Sequence, residues 1–133
     1  MSEQQKDEIK FGTDGGRAVI GDTFTFHNLA ILSQAFSEWV NRDLNAIDGK
    51  KKVAVGYDTR FMSAEFAQLV STVLAKNNIE VILSDAPIPT PALSFGVTTN
   101  KCVCGVMITA SHNPYKFNGF KIKTAQGGGA SKD

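Results

Sequence analysis

Lys52-Val53-Ala54-Val55-Gly56-Tyr57-Asp58, the segment Ser63 to Asn77, and Ile79-Glu80-Val81-Ile82-Leu83 together decide how this chain folds. The first piece is a short apolar run, the pattern of a strand buried on both faces. The second places Phe66, Leu69, Val70, Val73 and Leu74 at three- and four-residue steps, one buried face of a helix over Ala64 to Asn77. Ser63 is suited to cap that helix and Asn77-Asn78 to end it. The third piece is another strand, closing in Ser84-Asp85. Strand, helix, strand is a βαβ unit, so the two strands run parallel and the crossover is right-handed.

Reading outward from that unit, Ala86-Pro87-Ile88-Pro89-Thr90-Pro91 is neither helix nor central strand, because three prolines remove N–H donors. Thr90 and Pro91 suit the N-cap and first position of a short helix, Pro91 to about Val97. Cys102 to Ile108 reads as a third parallel strand. Phe117-Asn118-Gly119 reads as a turn, and Phe120 to Lys123 as a last strand, antiparallel at an edge. Alternation there sets Phe120 and Ile122 on one face and Lys121 and Lys123 on the other. Upstream, Thr25 caps a helix through about Leu44, with Leu29, Leu32, Phe36, Trp39 and Val40 as its apolar stripe. Asn45 to Lys52 is a polar loop whose Lys50-Lys51-Lys52 run reads as solvated. The expected fold class is α/β: a three-layer α/β/α sandwich with a mixed, mostly parallel sheet and an antiparallel edge strand. Residues 1–8 read as a disordered tail, 9–124 as the domain, and 125–133, glycine- and serine-rich, as the start of a loop or linker. A chain that stops inside such a connection reads as a fragment of something longer.

The 133 residues suffice for one core, and 42% hydrophobic with 20% charged residues fits a globular protein rather than a disordered one. A formal net charge of +1 gives no reason to expect a nucleic acid or an anionic membrane as partner. No apolar run approaches a membrane span, and the polar start, Met1 to Lys10, is no secretory signal, so a cytoplasmic location is expected. Cys102 and Cys104 sit two apart in one strand and read as small core residues rather than a disulfide or metal pair.

Each of the three parallel strands is followed by a polar cluster: Asp58-Thr59-Arg60, Ser84-Asp85, and Thr109 to Asn113. In a parallel sheet these emerge on one edge, where open α/β sheets present their sites. Ile9 to Arg17 adds three glycines in five residues, directly followed by Arg17. That segment suits either a phosphate cradle of backbone N–H groups and a guanidinium, or an ordinary hairpin turn. Ser111-His112 suggests a hydrolase, but no Gly-x-Ser-x-Gly elbow is present, and a serine's immediate neighbour is badly placed as its base. A serine that carries a phosphoryl group fits better. It needs positive charge and hydrogen-bond donors, which Arg17, Lys121, His112, Asn113 and the loop N–H groups can supply. Asp14, Asp58 and Asp85 form no compact acidic motif, so metal ligands are expected elsewhere.

Thr109-Ala110-Ser111-His112-Asn113-Pro114 resembles the phosphoserine loop of the α-D-phosphohexomutases, the phosphoglucomutase/phosphomannomutase family. Phe11-Gly12-Thr13-Asp14-Gly15-Gly16-Arg17 is similar to that family's Phe-Gly-Thr-x-Gly-x-Arg. Gly56-Tyr57-Asp58-Thr59-Arg60 is similar to its Gly-x-Asp-x-Arg, Pro89-Thr90-Pro91 to its Pro-Thr-Pro, and Asn118-Gly119-Phe120-Lys121 to its Asn-Gly-x-Lys. The order and spacing agree from residue 9 to 123. Ala18 and Gly16 depart from the usual turn residues. The resemblance implies the N-terminal domain I of a four-domain enzyme. That enzyme interconverts hexose 1- and 6-phosphates through phosphoserine and a hexose 1,6-bisphosphate. Ser111 is then the phosphoryl carrier, and Mg²⁺ binds through its phosphate. Arg17, Lys121 and His112 are the assisting catalytic groups. Thr13, Gly15, Arg17, Asn113 and Lys121 form the phosphate- and substrate-binding set. The implied partners are the hexose phosphate and the remaining domains of the same chain, without which the piece should be inactive. Phosphoglucosamine mutase domain I is the alternative within the family. A serine hydrolase and a non-catalytic phosphosugar-binding domain are the alternatives outside it.

Overall fold

The computed structural model describes residues 11–12 and 15–129. The expected tail over 1–8, Thr13 and Asp14, and the end of the expected linker lie outside the described residues. In chain order the elements are β1 (Phe11–Gly12), β2 (Gly15–Val19), α1 (Phe26–Asp43), β3 (Lys52–Tyr57), α2 (Ser63–Lys76), β4 (Glu80–Leu83), α3 (Thr90–Thr99), β5 (Cys104–Ile108) and β6 (Phe117–Thr124). The strands form one sheet in the order β1-β2-β6-β5-β3-β4.

The βαβ unit stands as expected. β3 pairs parallel with β4, Val53 opposite Val81, and parallel with β5 on its other side, Val55 opposite Val106. The three remaining pairings, β1–β2, β2–β6 and β5–β6, are antiparallel. The mixed α/β sheet therefore divides into a parallel half and an antiparallel half, and the antiparallel edge is the β1–β2 hairpin. The last strand is antiparallel, but it is not at the edge: β6 lies inside the sheet between β2 and β5. It also starts earlier than expected, at Phe117, because Asn118 and Gly119 are buried strand residues here and not a turn.

Helices cover both faces, which makes the three layers. Val53, Val55 and Tyr57 of β3, with Val106 and Ile108 of β5, pack under α1 and α2 against Leu29, Phe36, Phe66, Val70 and Leu74. The intervening Ala54 and Met107 face the other way, onto Leu93 and Val97 of α3. Phe36 meets Phe120 edge-on at 5.4 Å, and Phe24 meets Phe66 likewise at 4.9 Å; such pairs add roughly 0.5–1.5 kcal/mol beyond burial. Burial pushes the Cys104 thiol up to about 12, and raises that of Cys102 as well. Both are free core residues, as expected from their spacing.

The helix ends refine three expectations. Thr25 caps α1, its hydroxyl accepting from Asn28 N at 3.1 Å. Ser63 does not cap α2. The N-cap position belongs to Met62, in the left-handed region at φ 62°, and the Ser63 hydroxyl is drawn to Asp58 instead. Thr90 is the first residue of α3 and not its cap, since Pro89 holds that position in extended geometry. Lys51 is half-buried and more than a solvated side chain: its ammonium donates to the carbonyls of Val40 and Asn41 at 3.3 and 2.7 Å and closes the C-terminus of α1.

Candidate active site

The loop between β5 and β6 emerges where β3 and β5 end, and its shape is set by backbone. Asn113 N donates to Ala110 O at 3.0 Å, Phe117 N to Pro114 O at 3.0 Å, and Thr109 N to Gly119 O at 3.0 Å. Ser111 N donates to the Thr109 hydroxyl at 3.0 Å. Within this loop Ser111 is held at φ 54°, a left-handed conformation that costs a side-chain-bearing residue roughly 1–2 kcal/mol. Strain of that kind persists where surrounding contacts over-determine it, and it clusters at functional sites.

Lys121 reaches the serine. Alternation along β6 buries Phe120 and Ile122 under α1 and α2 and leaves Lys121 on the opposite face, where its Nζ lies 3.3 Å from Ser111 Oγ. Arg17, on β2 opposite Gly119, donates from Nη1 to Asn113 Oδ1 at 2.8 Å. Two side-chain pairs thus meet this loop, Ser111 with Lys121 and Asn113 with Arg17. This needs the backbones of β2 and β6 to approach closely. At Gly119 a Cβ would lie 2.6 Å from Thr109 O and 2.7 Å from Gly16 O. At Gly15, whose φ is 99°, it would collide with the Phe120 carbonyl beside Lys121. Gly15 therefore serves strand packing, whatever its part in binding phosphate. Thr13 falls outside the described residues. His112 is exposed beside Ser111. His27, in the first turn of α1, is also exposed.

Sequence reasoning brought Asp58 and Arg60 to the edge that presents the site but gave them no role in it. Their role in the fold is larger than that. The Arg60 guanidinium donates to the carbonyls of Ser111, Asn113, Pro114 and Phe117, at 2.7 to 3.0 Å. Its Nε pairs with Asp58 Oδ2 at 3.3 Å. Asp58 Oδ1 accepts from Arg60 N and from the Ser63 hydroxyl, and that hydroxyl accepts from Asn118 Nδ2. Asn118 is fully buried. A signal was present in Gly-x-Asp-x-Arg, but main-chain acceptors leave no mark on a sequence. The third strand-end cluster does not join: the Ser84 hydroxyl donates to Ala86 O within its own turn. A groove of about 430 Å³ lined by Trp39, Leu44, Cys104, Ile122 and Thr124 lies at the other ends of β5 and β6, away from Ser111.

Among the described residues no group of three His, Cys, Asp or Glu side chains comes together to hold a metal ion. Asp58, the carboxylate tied into the loop network, has both oxygens engaged. The donors here do not make a divalent-cation site by themselves. No helix among the described residues is long and apolar enough to cross a membrane.

Three comparisons with known proteins agree. Residues 8–133 match the family model described as phosphoglucomutase/phosphomannomutase, alpha/beta/alpha domain I. The phosphoglucomutases of Staphylococcus aureus strains MRSA252 and USA300 are each 38% identical over 132 residues. That match covers 95% of this chain and 23% of each relative, so the chain spans about a quarter of their length. A crystal structure from Thermus thermophilus, named as a phosphomannomutase, superposes with a TM-score of 0.86 at 42% identity. It covers 93% of this chain and 27% of its own.

Proposed function

The chain belongs to the phosphoglucomutase/phosphomannomutase family as an alpha/beta/alpha domain I, and on that premise we propose that it is the phosphoserine domain of a hexose-phosphate mutase. The single observation that carries this reading is the pairing of Ser111 Oγ with Lys121 Nζ at 3.3 Å on a loop that holds the serine at φ 54°. A serine used as a phosphoryl carrier needs cations and donors fixed in advance, because phosphoryl transfer is chiefly positioning and charge stabilisation.

In the first half of the reaction the P–O bond to Ser111 Oγ breaks and phosphorus bonds a hydroxyl oxygen of the bound hexose phosphate. The proton of that hydroxyl leaves to a base, and hexose 1,6-bisphosphate results. In the second half the bisphosphate, turned end for end, returns its other phosphoryl group to Oγ, and the sugar oxygen so freed takes a proton. Lys121 and Arg17 supply positive charge beside the moving group. A lysine near phosphate is stabilised as its cation, which favours an electrostatic role over that of a base. His112, exposed next to Ser111, is the group available to exchange the hydroxyl proton. Asn113, held by Arg17, sits at the same edge to receive substrate phosphate.

In this reading Mg²⁺ binds through the phosphate on Ser111, with its remaining ligands outside these residues, and no step above runs through it. Residues 9–124 make the domain and 125–133 lead toward the rest of a longer chain, which supplies the other walls of the cleft. The whole acts in the cytoplasm, in keeping with the polar, charged N-terminal stretch Met1 to Lys10.

Ser111→Ala in the full-length enzyme is expected to reduce mutase turnover to background. The intact mass of the unsubstituted enzyme should show an added phosphate that maps to Ser111. Normal turnover in Ser111→Ala overturns the reading. Covalent labelling of Ser111 by a fluorophosphonate would place it among serine hydrolases instead.

A further inference from the structure

Arg60 has no part in the chemistry above, and the four N–H groups on its two Nη atoms are already engaged. Nη1 donates to Pro114 O at 2.9 Å and Phe117 O at 3.0 Å. Nη2 donates to Ser111 O at 2.8 Å and Asn113 O at 2.7 Å. Nε faces Asp58 Oδ2 at 3.3 Å. A guanidinium carries five N–H donors in one rigid plane; here the four on Nη1 and Nη2 have carbonyl partners and Nε is ion-paired with Asp58. No Nη donor is left for a phosphate, and the side chain is only 14% exposed.

The four acceptors are all main-chain carbonyls, and they lie across both limbs of the serine loop. One belongs to Ser111 itself. Turning Ser111 into the left-handed region is uphill on its own, and the bond from its carbonyl to Arg60 helps to offset that cost. The clamp is also tied to the other side of the site. Asp58 accepts from the Ser63 hydroxyl at 2.7 Å, and that hydroxyl accepts from Asn118 Nδ2 at 2.9 Å. Asn118 is buried in β6, three residues before Lys121. One network thus fixes both the loop that carries the serine and the strand that carries its lysine.

We propose that Arg60 is a positioning residue: by binding four loop carbonyls it holds Ser111 in its left-handed conformation with Oγ in reach of Lys121, and it is not a phosphate ligand. The catalytic consequence rests on the reading of Ser111 as a phosphoryl carrier; the conformational consequence does not.

Arg60→Lys separates charge from geometry, since it keeps the cation and loses the planar fork. In this chain, NMR of Ser111 reads the first consequence. The one-bond Cα–Hα coupling and Cα shift should report positive φ in the unsubstituted protein and an averaged, mostly negative φ in Arg60→Lys. The amide signals of Val55 and Val106 in the core should stay in place. In the full-length enzyme, the single-turnover rate of phosphoryl transfer from hexose 1,6-bisphosphate to Ser111 should fall about 100-fold, the cost of an ångström-scale misplacement. KM should change far less than kcat, as for a lost transition-state alignment. Retained positive φ with an unchanged rate overturns the proposal. So does a raised KM at constant kcat, which would make Arg60 a phosphate ligand. If no phosphate ever reaches Ser111 in either protein, the functional reading fails and the coupling alone decides the clamp. If Arg60→Lys does not fold, Asp58→Asn decides, because it sets an amide donor against Arg60 Nε. A Ser111 coupling unchanged in Asp58→Asn then overturns the proposal, and a shift toward negative φ supports it.

Discussion

Gly119 shows how much of this site is set by an atom that is missing. Its neighbours on both sides are carbonyl oxygens, Thr109 O and Gly16 O, each within 2.7 Å of where a Cβ would sit. Backbone held in two strand pairings cannot yield as a side chain can, so Gly119→Ala should force β2 and β6 apart. Overpacking of that kind costs about 1–3 kcal/mol, readable as a lower midpoint in urea unfolding at an unchanged slope. Gly96, whose added Cβ would meet only Asn100 Nδ2 at 4.0 Å, is the control, and Gly96→Ala should hold or raise the midpoint. Equal midpoints for Gly119→Ala and the parent chain would mean that the strand approach is looser than these distances state. At this scale the sequence was informative about identity and poor about cause. Ser111, Lys121, Arg17 and Asn113 were legible because charge and hydroxyl chemistry narrow the choices. Gly119 was taken for part of a turn, because a glycine after an asparagine signals a turn as readily as a tight strand contact. Arg60 was visible as a residue, but its carbonyl partners were not.

The elements whose core contacts are regular were the ones that could be read in advance. β5 and most of β3 are apolar runs, β4 is apolar after Glu80, and α1 and α2 carry single apolar stripes, so hydrophobic pattern declared them. β2 was not legible as a strand, because Gly-Gly-Arg-Ala-Val has the composition of a loop and is held in the sheet by its pairing with β6. The start of β6 was missed for a related reason: Asn118, polar and fully buried, is tolerated inside the sheet because its amide donates to Ser63 and its carbonyl accepts from Gly119 N. Ser63 in turn could not serve as helix cap while bound to Asp58. Lys51 carries a similar lesson for α1. Its ammonium closes two of the last carbonyls of the helix and meets the negative end of its dipole. Lys51→Met keeps most of the stem and removes the charge, and it should lower stability by roughly 0.3–1 kcal/mol. Neighbouring Lys50, which is exposed, should tolerate the same change within about 0.5 kcal/mol. Thermal unfolding followed by circular dichroism distinguishes the two, and equal effects would remove Lys51 from the cap.

The whole molecule is a sheet with its chemistry along one edge and its structural groove at the other. Ser111, Lys121, Arg17 and Asn113 lie together at the loop between β5 and β6, and the described carboxylates gather no metal-holding group beside them. A transferred phosphoryl group needs its charge met on all sides and water kept out. The relatives that this chain resembles are about four times its length, and it covers 23% of the phosphoglucomutases. The 133-residue chain by itself should therefore unfold as one cooperative unit and yet show no mutase turnover. Calorimetry with Mg²⁺ alone should give no stoichiometric binding, because a divalent cation needs about six oxygen ligands and the described residues present no carboxylate cluster. Inorganic phosphate should bind weakly and with strong salt dependence, as expected for a few cations at an open edge. Turnover by the chain alone, or tight one-to-one Mg²⁺ binding, would show that this edge is a complete site. If phosphate perturbs the NMR signals of Ser111, Asn113 and Lys121 while Mg²⁺ perturbs none of them, the division of labour is as drawn: this domain carries and aims the phosphoryl group, and the metal and the sugar are held from the facing side.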